Sequence, residues 1–452
     1  MSVFSQTMTS GSELKVILRF TLPLLAGNLF QQLYNIVDSV IVGRFLGYNA
    51  LAAVGATGSI TYLFYTLCIG LATGAGILIA QNFGAGMHGL VKKLITNSAY
   101  VMGIFGAGIS ILSVLAAPFL LRLLGTPDSI FETALGYMRI SCAGTIAVSA
   151  YNWINAVMRS LGDSVTPLVF LILASVLNVG LDLLFVVGLD MGVNGAAWAT
   201  IIAQGMSALG SILFAFRRNP CFRLTRADAS FDGVIFSRCV RTGVPIALQN
   251  ALISVSMVYL QRTANRFGDT VIAAYTATMR VEQLIQQPFS SLNAAVSTFA
   301  GQNMGAGKPK RVIRGYHQSL KAASVFALLM LGVFLLLSRH IIGFFVEEEA
   351  VIEIGANALR LSACFYVFLG IIHTTRGLLN GAGDVSYALI NGIAEVTGRI
   401  GFALILVQIS FVGHWAVWGT TCLTWLLTAV MSVIRYKGGR WRNHANVQEG
   451  DI

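Results

Sequence analysis

Charge is scarce in this chain. Of 452 residues only 11% are Asp, Glu, Lys or Arg, against 56% hydrophobic; a soluble domain carries about 25% charged residues. Proline is rare as well, at eight residues, and the six cysteines (Cys68, Cys142, Cys221, Cys239, Cys364 and Cys422) show no CxxC or paired spacing. That excludes a disulfide framework and a zinc site as readings of the pattern. No complete phosphate-loop motif occurs: before Gly305-Ala-Gly-Lys308 the required glycine is Gln302, and Pro309 stands where Ser or Thr is needed. Neither His-Glu-x-x-His nor Gly-x-Ser-x-Gly is present, so an intramembrane enzyme lacks its paired groups. Nucleotide-driven pumping and catalysis are therefore not expected.

What the chain has instead is length in apolar runs. Twelve segments reach spanning length, near 16–42, 52–80, 95–118, 133–157, 166–189, 193–216, 241–261, 271–300, 318–345, 355–379, 386–409 and 413–435. The expected fold class is all-α, a polytopic membrane protein. Ser10-Gly-Ser-Glu13 reads as a capping box opening an amphipathic lead-in to the first span, with no cleavable signal peptide before it.

The net charge of +11 is distributed like a membrane protein's rather than a nucleic-acid binder's. With the N-terminus placed in the cytoplasm, inner segments take 21 of the 30 Lys and Arg: Lys15, Arg19, Lys92, Lys93, Arg159, six in 217–241, five in 308–321, Arg376 and four in 435–442. Outer segments take seven, and Arg280 and Arg399 lie within spans. The imbalance sets both termini inside a cytoplasmic (inner) membrane. The stretch 217–240, rich in arginine, reads as a linker lying on the anionic leaflet.

The chain repeats at an offset of 221. Gln81-Asn-Phe-Gly-Ala-Gly86 recurs as Gln302-Asn-Met-Gly-Ala-Gly307, Arg139-Ile-Ser141 as Arg360-Leu-Ser362, and Gly162-Asp163 as Gly383-Asp384; Pro23 and Asn28 recur one residue out of phase as Pro245 and Asn250. A repeat of six spans returns the chain to its starting side, so the halves are parallel, as in alternating-access carriers. The expected division is a six-helix lobe at 1–216, the linker at 217–240, a second six-helix lobe at 241–436 related by a pseudo-two-fold along the membrane normal, and a cytoplasmic tail at 437–452. The Gly-Ala-Gly stretches read as tight turns between spans two and three and spans eight and nine.

Four acids lie inside apolar stretches: Asp38, Asp182, Glu282 and Glu395. A carboxylate in hydrocarbon costs about 2.5–3.5 kcal/mol on insertion scales, and such groups mark ion pathways. Span one carries Asn28, Gln31, Asn35 and Asp38 at spacings of three, four and three, on one helical face. Pro23 upstream provides a kink. Span five carries Asn178 and Asp182, span six Thr200 and Gln204, each one turn apart, and span four Tyr151, Asn152 and Asn155. If Asp38 and Asp182 converge, a small cation relieves their repulsion. The hard oxygen ligands suit Na⁺ or H⁺ rather than a transition metal. Asp182 aligns with Ala403 in the second half and Asp38 with Tyr259 or Leu260, which assigns ion coupling to the first lobe. Glu282 opens a stripe with Gln286, Ser290, Asn293 and Ser297; Glu282, Gln286 and Asn293, with Gln249, are candidate substrate contacts. Glu395, one turn before Arg399, reads as half of a self-satisfied pair, and His373 as a satisfied core histidine.

Together these features resemble the multidrug and toxic compound extrusion (MATE) transporters, and most the DinF-like branch, over about residues 14–436. The resemblance rests on the twelve spans, the paired Gln-Asn-x-Gly-Ala-Gly turns, Arg159-Ser-Leu-Gly-Asp163 and the Pro23-to-Asp38 pattern. It implies a cation cluster of Asp38, Asn155, Asn178, Asp182 and Thr200 with Tyr137, Asn35 and Gln31 in its network, holding Na⁺ if the carrier is sodium-coupled. It also implies that span one bends at Pro23. The expected activity is secondary antiport: an amphipathic, often cationic, organic compound leaves as Na⁺ or H⁺ enters. The alternative is export of one metabolite class, a flavin, an organic acid or a lipid-linked precursor. The expected partners are a small-molecule substrate and the lipid bilayer, with no nucleic acid, no cofactor beyond the coupling ion, and a monomeric state.

Overall fold

The computed structural model describes residues 7–443. Among them the regular structure is helical throughout: α1 Glu13–Leu46, α2 Tyr48–Gly84, α3 His88–Leu123, α4 Asp128–Ala143, α5 Thr145–Ser160, α6 Val165–Asp182, α7 Gly192–Arg218, α8 Gly233–Ala264, α9 Asp269–Gly305, α10 Pro309–Gly343, α11 Glu349–Gly381, α12 Ser386–Gln408 and α13 Ala416–Lys437. Nine of these, some with a helical turn appended, are long and apolar enough to cross a membrane. The other three expected spans fall short for local reasons. Helices α1 and α9 have ample length but carry the polar stripes, and the fourth span is broken at Gly144 into α4 and α5, of 16 residues each.

Several expected boundaries shift. The connector contracts from 217–240 to 219–232, because α7 and α8 extend into it. The proposed capping box does not form as read. Gly11 takes φ +81, a left-handed conformation outside the helix. Val16 N–H bonds the Ser12 carbonyl, so Ser12 is the cap residue and Glu13 the first helical one. Its carboxylate pairs with Arg311 at 3.5 Å and Arg314 at 3.1 Å. The part of the expected tail from 444 onward lies outside the described residues.

The chain divides into two compact units, but not at the connector. Unit 1 contains Leu22–Ala251, and unit 2 contains Met8–Thr21 with the described residues from Leu252 onward. Each half thus lends its opening segment to the unit of the other. Two packing details explain why. Along α8, Gly243 and Ala247 meet Gly74 and Gly70 of α2 so closely that a Cβ on Gly70 would sit 2.3 Å from the Ala247 Cα, and one on Gly74 2.3 Å from the Gly243 Cα. Only glycine permits that approach. The segment before α1 is held just as firmly to unit 2. Met8 N–H bonds Gln302 Oε1 at 2.8 Å, Asn303 Nδ2 donates to the Met8 carbonyl, and Arg311 donates to the Gly11 and Ser10 carbonyls.

Within unit 1, α2 packs on α3, α4 and α5, and α7 on α5 and α6. The connector is tied down to α3: Asn97 donates to the Ser230 carbonyl and accepts from Asp232 N–H, while Tyr100 donates to the Ala229 carbonyl. Within unit 2, α11 packs on α9, α10 and α13. The Gly-Ala-Gly stretches are turns, as read: Gly86 and Gly307 take φ +76 and +68. The repeated Gly-Asp pair serves two purposes. Asp163 caps α6, accepting from Val165 N–H, Thr166 N–H and Thr166 Oγ1, whereas Asp384 accepts both prongs of Arg435 at 2.8 and 2.7 Å.

Candidate functional site

Three helices of unit 1 bring the first-half acids together. Helix α1 presents Gln31, Tyr34 and Asp38 on one side, at spacings of three and four. Helix α6 ends on Asp182 with Asn178 one turn before it, and passes directly into a π-helical turn, Leu183–Gly188. Such turns recur at functional sites, where they re-aim the residues around them. Helix α7 supplies Thr200 and Gln204.

The carboxylates of Asp38 and Asp182 are direct neighbours. Asp182 has no exposed surface, and Asn178 and Asn155 are buried at 2% and 5%. Asn178 donates to Thr200 Oγ1 over 3.4 Å. Several side-chain oxygens have no partner in the protein: Asp38 Oδ1, Asn155 Oδ1, Asn178 Oδ1, and both Oδ1 and Oδ2 of Asp182 are buried without a hydrogen-bond partner. A buried polar atom left unpaired costs about 1–3 kcal/mol, and two adjacent carboxylates repel as well, so the Asp38–Asp182 pair is a place where a positive charge would be favoured. All five are hard donors, which fits Na⁺ or a proton.

Beside them opens a small cavity lined by Gln31, Tyr34, Tyr151, Ser175, Asn178, Thr200 and Gln204 among others. Tyr34 neighbours Gln204, Gln31 and both carboxylates, and Tyr137 also lies within reach of both. Tyr34 was not among the expected site residues, and Gln204 was expected only as a polar neighbour of Thr200 on span six. The signal for Tyr34 was its place between Gln31 and Asp38 at helical spacing; for Gln204 it was its one-turn spacing from Thr200. Asn35 is exposed and does not line the cavity, since it faces a different side of α1 from Tyr34. Helix α1 runs unbroken through Pro23.

The other candidates are on other helices. Gln249 is fully buried within unit 1, while Glu282, Gln286 and Asn293 belong to α9 in unit 2. Glu282 is half-buried with its Oε1 enclosed and unpartnered. The expected Glu395–Arg399 pair forms, and a second arginine joins it. Glu395 bonds Arg399 at 3.2 Å and also Arg376 at 3.3 Å, because Arg376 lies inside α11 rather than in an inner loop. His373 is not fully satisfied: it stacks on Phe289 at 6.2 Å, and its Nδ1 is buried without a partner.

The family model MatE matches twice, over residues 23–184 and 245–405, once for each half of the internal repeat. The chain belongs to the MatE family. It is similar to the probable multidrug resistance protein YpnP of Bacillus subtilis, with 29% identity over 440 residues covering 96% of this chain and 97% of that protein. Among solved structures it resembles a multidrug resistance MATE family transporter in an outward-facing conformation, with 25% identity, a TM-score of 0.91, and coverage of 99% of this chain and 100% of that one. It also resembles a MATE protein in a bent conformation, with 26% identity, a TM-score of 0.89, and coverage of 97% and 98%. MatE membership makes this a multi-pass transport protein, and the double match follows the repeat read from Gln81 and Gln302.

Proposed function

We propose that the protein is a secondary antiporter of the cytoplasmic membrane, both termini inside, exporting amphipathic and often cationic organic compounds in exchange for inward Na⁺ or H⁺. One observation carries the reading: two carboxylates from different helices, Asp38 and Asp182, stand side by side with three of their oxygens buried and unpartnered. A carrier needs a site that is unfavourable empty and favourable with a small cation, and this cluster has that property. The similarity to proteins named for multidrug resistance supports the substrate class.

Asp38, Asn155, Asn178, Asp182 and Thr200 hold the ion. Tyr34, Tyr137 and Gln31 form the wall around it, and Pro23 gives α1 a point at which to bend; relatives are described in both bent and straight conformations. Glu282, Gln286 and Asn293 are the substrate contacts on α9. One charge moving inward down 100 mV releases about 2.3 kcal/mol, which sustains roughly a fiftyfold gradient at about 1.4 kcal/mol per factor of ten. The testing experiment is dye efflux from proteoliposomes under separately imposed sodium and pH gradients. Wild type responds to one gradient, and Asp38→Asn and Asp182→Asn respond to neither while inserting normally. Undiminished gradient-driven efflux by both variants would falsify the assignment.

A further inference from the structure

Unit 2 contains a charge cluster that ion coupling leaves unused. Arg399 on α12 has no exposed surface. Its Nη1 donates to Ser256 Oγ, and its Nη2 donates to Glu395 Oε1 at 3.2 Å. Arg376 on α11 donates to Glu395 Oε2 at 3.3 Å and to Asn391 Oδ1 at 2.6 Å. One carboxylate therefore serves two guanidinium groups and leaves a surplus of one positive charge. The Nε–H groups of both arginines are buried without an acceptor.

The remaining acid within electrostatic reach of Arg399 is Glu282 on α9. The other titratable groups around Glu282 are Tyr275, Tyr366 and Cys422, uncharged at neutral pH. Arg376 adjoins His373 and Tyr387, and among the described residues its one ion pair is with Glu395. With Glu282 ionised the four-membered set is neutral; with Glu282 protonated it carries +1. From Glu282 the stripe through Gln286 to Ser290 and Asn293 continues along α9, with Ser290 exposed.

We propose that Arg376, Glu395 and Arg399 form a binding site for the anionic group (carboxylate, sulfonate or phosphate) of an amphipathic compound, and that a proton on Glu282 makes the site available. Two unpartnered guanidinium N–H donors and a surplus positive charge are what such a group requires. Ionised Glu282 is its competitor for the same charge. Substrate range then extends to anions under acidic conditions. Binding here does not depend on Asp38 or Asp182, so this inference and the antiport reading stand or fall separately.

The test uses the full chain in phosphatidylcholine nanodiscs and a permanently charged probe, 1-pyrenesulfonate, followed by fluorescence anisotropy against empty discs. Wild type binds it at least tenfold more tightly at pH 5.5 than at pH 8. Glu282→Gln, which mimics the protonated form, binds tightly at both pH values. Arg376→Gln, which leaves a neutral Glu395–Arg399 pair, loses at least tenfold at pH 5.5. Should Arg376→Gln fail to fold, Glu282→Gln decides alone. A pH-independent affinity in wild type, or a Glu282→Gln protein no tighter than wild type at pH 8, overturns the site. Adding phosphatidylglycerol to the discs identifies the source of the natural group: competition assigns it to a lipid headgroup, absence of competition to a free solute, and the site stands with either.

Discussion

Replacing Asp182 by Asn separates a coupling site from a structural lock, because the two make opposite predictions for stability. In a lock, the carboxylate earns its place through hydrogen bonds, and removing one partner of a buried charged network costs about 3–5 kcal/mol. Here neither oxygen of Asp182 has a partner, and its neighbour is a second carboxylate. Two like charges about 4 Å apart at an effective dielectric of about 20 repel by about 4 kcal/mol, and asparagine removes that repulsion while keeping the shape. Without a coupling cation at pH 8, Asp182→Asn is expected to be more stable than wild type by about 1–4 kcal/mol. The repulsion exists only when both groups are ionised, so the gap widens as pH rises and closes on acidification. The coupling ion closes it as well: an ion at a hundred times its dissociation constant stabilises wild type by about 2.7 kcal/mol and the variant by nothing. The assay is thermal unfolding in detergent, in sodium chloride and in choline chloride, at pH 6 and pH 8. A variant that melts below wild type in choline at pH 8, beside a wild type indifferent to both sodium and pH, would refute the coupling site.

Other consequences are open to measurement. Gly74→Val places a branched side chain where a Cβ already lies 2.3 Å from the Gly243 Cα. It should cost well over about 3 kcal/mol of packing and abolish the monodisperse peak on gel filtration, whereas Gly55→Ala, with open space around it, should leave the profile unchanged. Arg311→Ala removes the donors to the carbonyls of Gly11 and Ser10 and a partner of Glu13; hydrogen exchange at the start of α1 should accelerate at least tenfold, with no change at Asp38. Asp384→Asn breaks the two-pronged bond to Arg435 and should destabilise by about 1.5–3 kcal/mol. Asp163→Ala loses only a helix cap, about 0.5–2 kcal/mol; equal losses in chemical unfolding would contradict the division of labour between these repeated residues.

The parts of the site that could be read from the sequence are those whose geometry is set within one helix. Asn178 and Asp182 share a face because they are four residues apart, and so do Gln31 and Asp38; their meeting followed from the cost of any other arrangement in lipid. Tyr34 sits in the same stripe, but a tyrosine in a span ordinarily serves packing, so its spacing alone does not mark it. What the sequence withheld depends on tertiary reach. Arg376 joins Glu395 from a helix nineteen residues earlier, and nothing in its spacing distinguishes it from an inner-loop charge. Ser256 and Arg399 are 143 residues apart.

The position of the unit boundaries was illegible for a related reason, and it bears on mechanism. Hydropathy marks where a chain leaves the membrane, not which neighbours a helix prefers along its length. Helix α1 runs continuously from Glu13 to Leu46, yet Met8–Thr21 belongs to unit 2 and Leu22 onward to unit 1; α8 is divided likewise after Ala251. The held segments are the polar leads, Met8 to Gly11 on Gln302, Asn303 and Arg311, and Ala229 to Asp232 on Asn97 and Tyr100. Pro23 lies two residues past the α1 junction and Pro245 six residues before that of α8. Proline frees one backbone carbonyl from the helical ladder, so a bend there breaks fewer bonds than elsewhere. In α1 the same helix carries Asp38 fifteen residues beyond its proline, so a bend at Pro23 would move the proposed ion ligand with it.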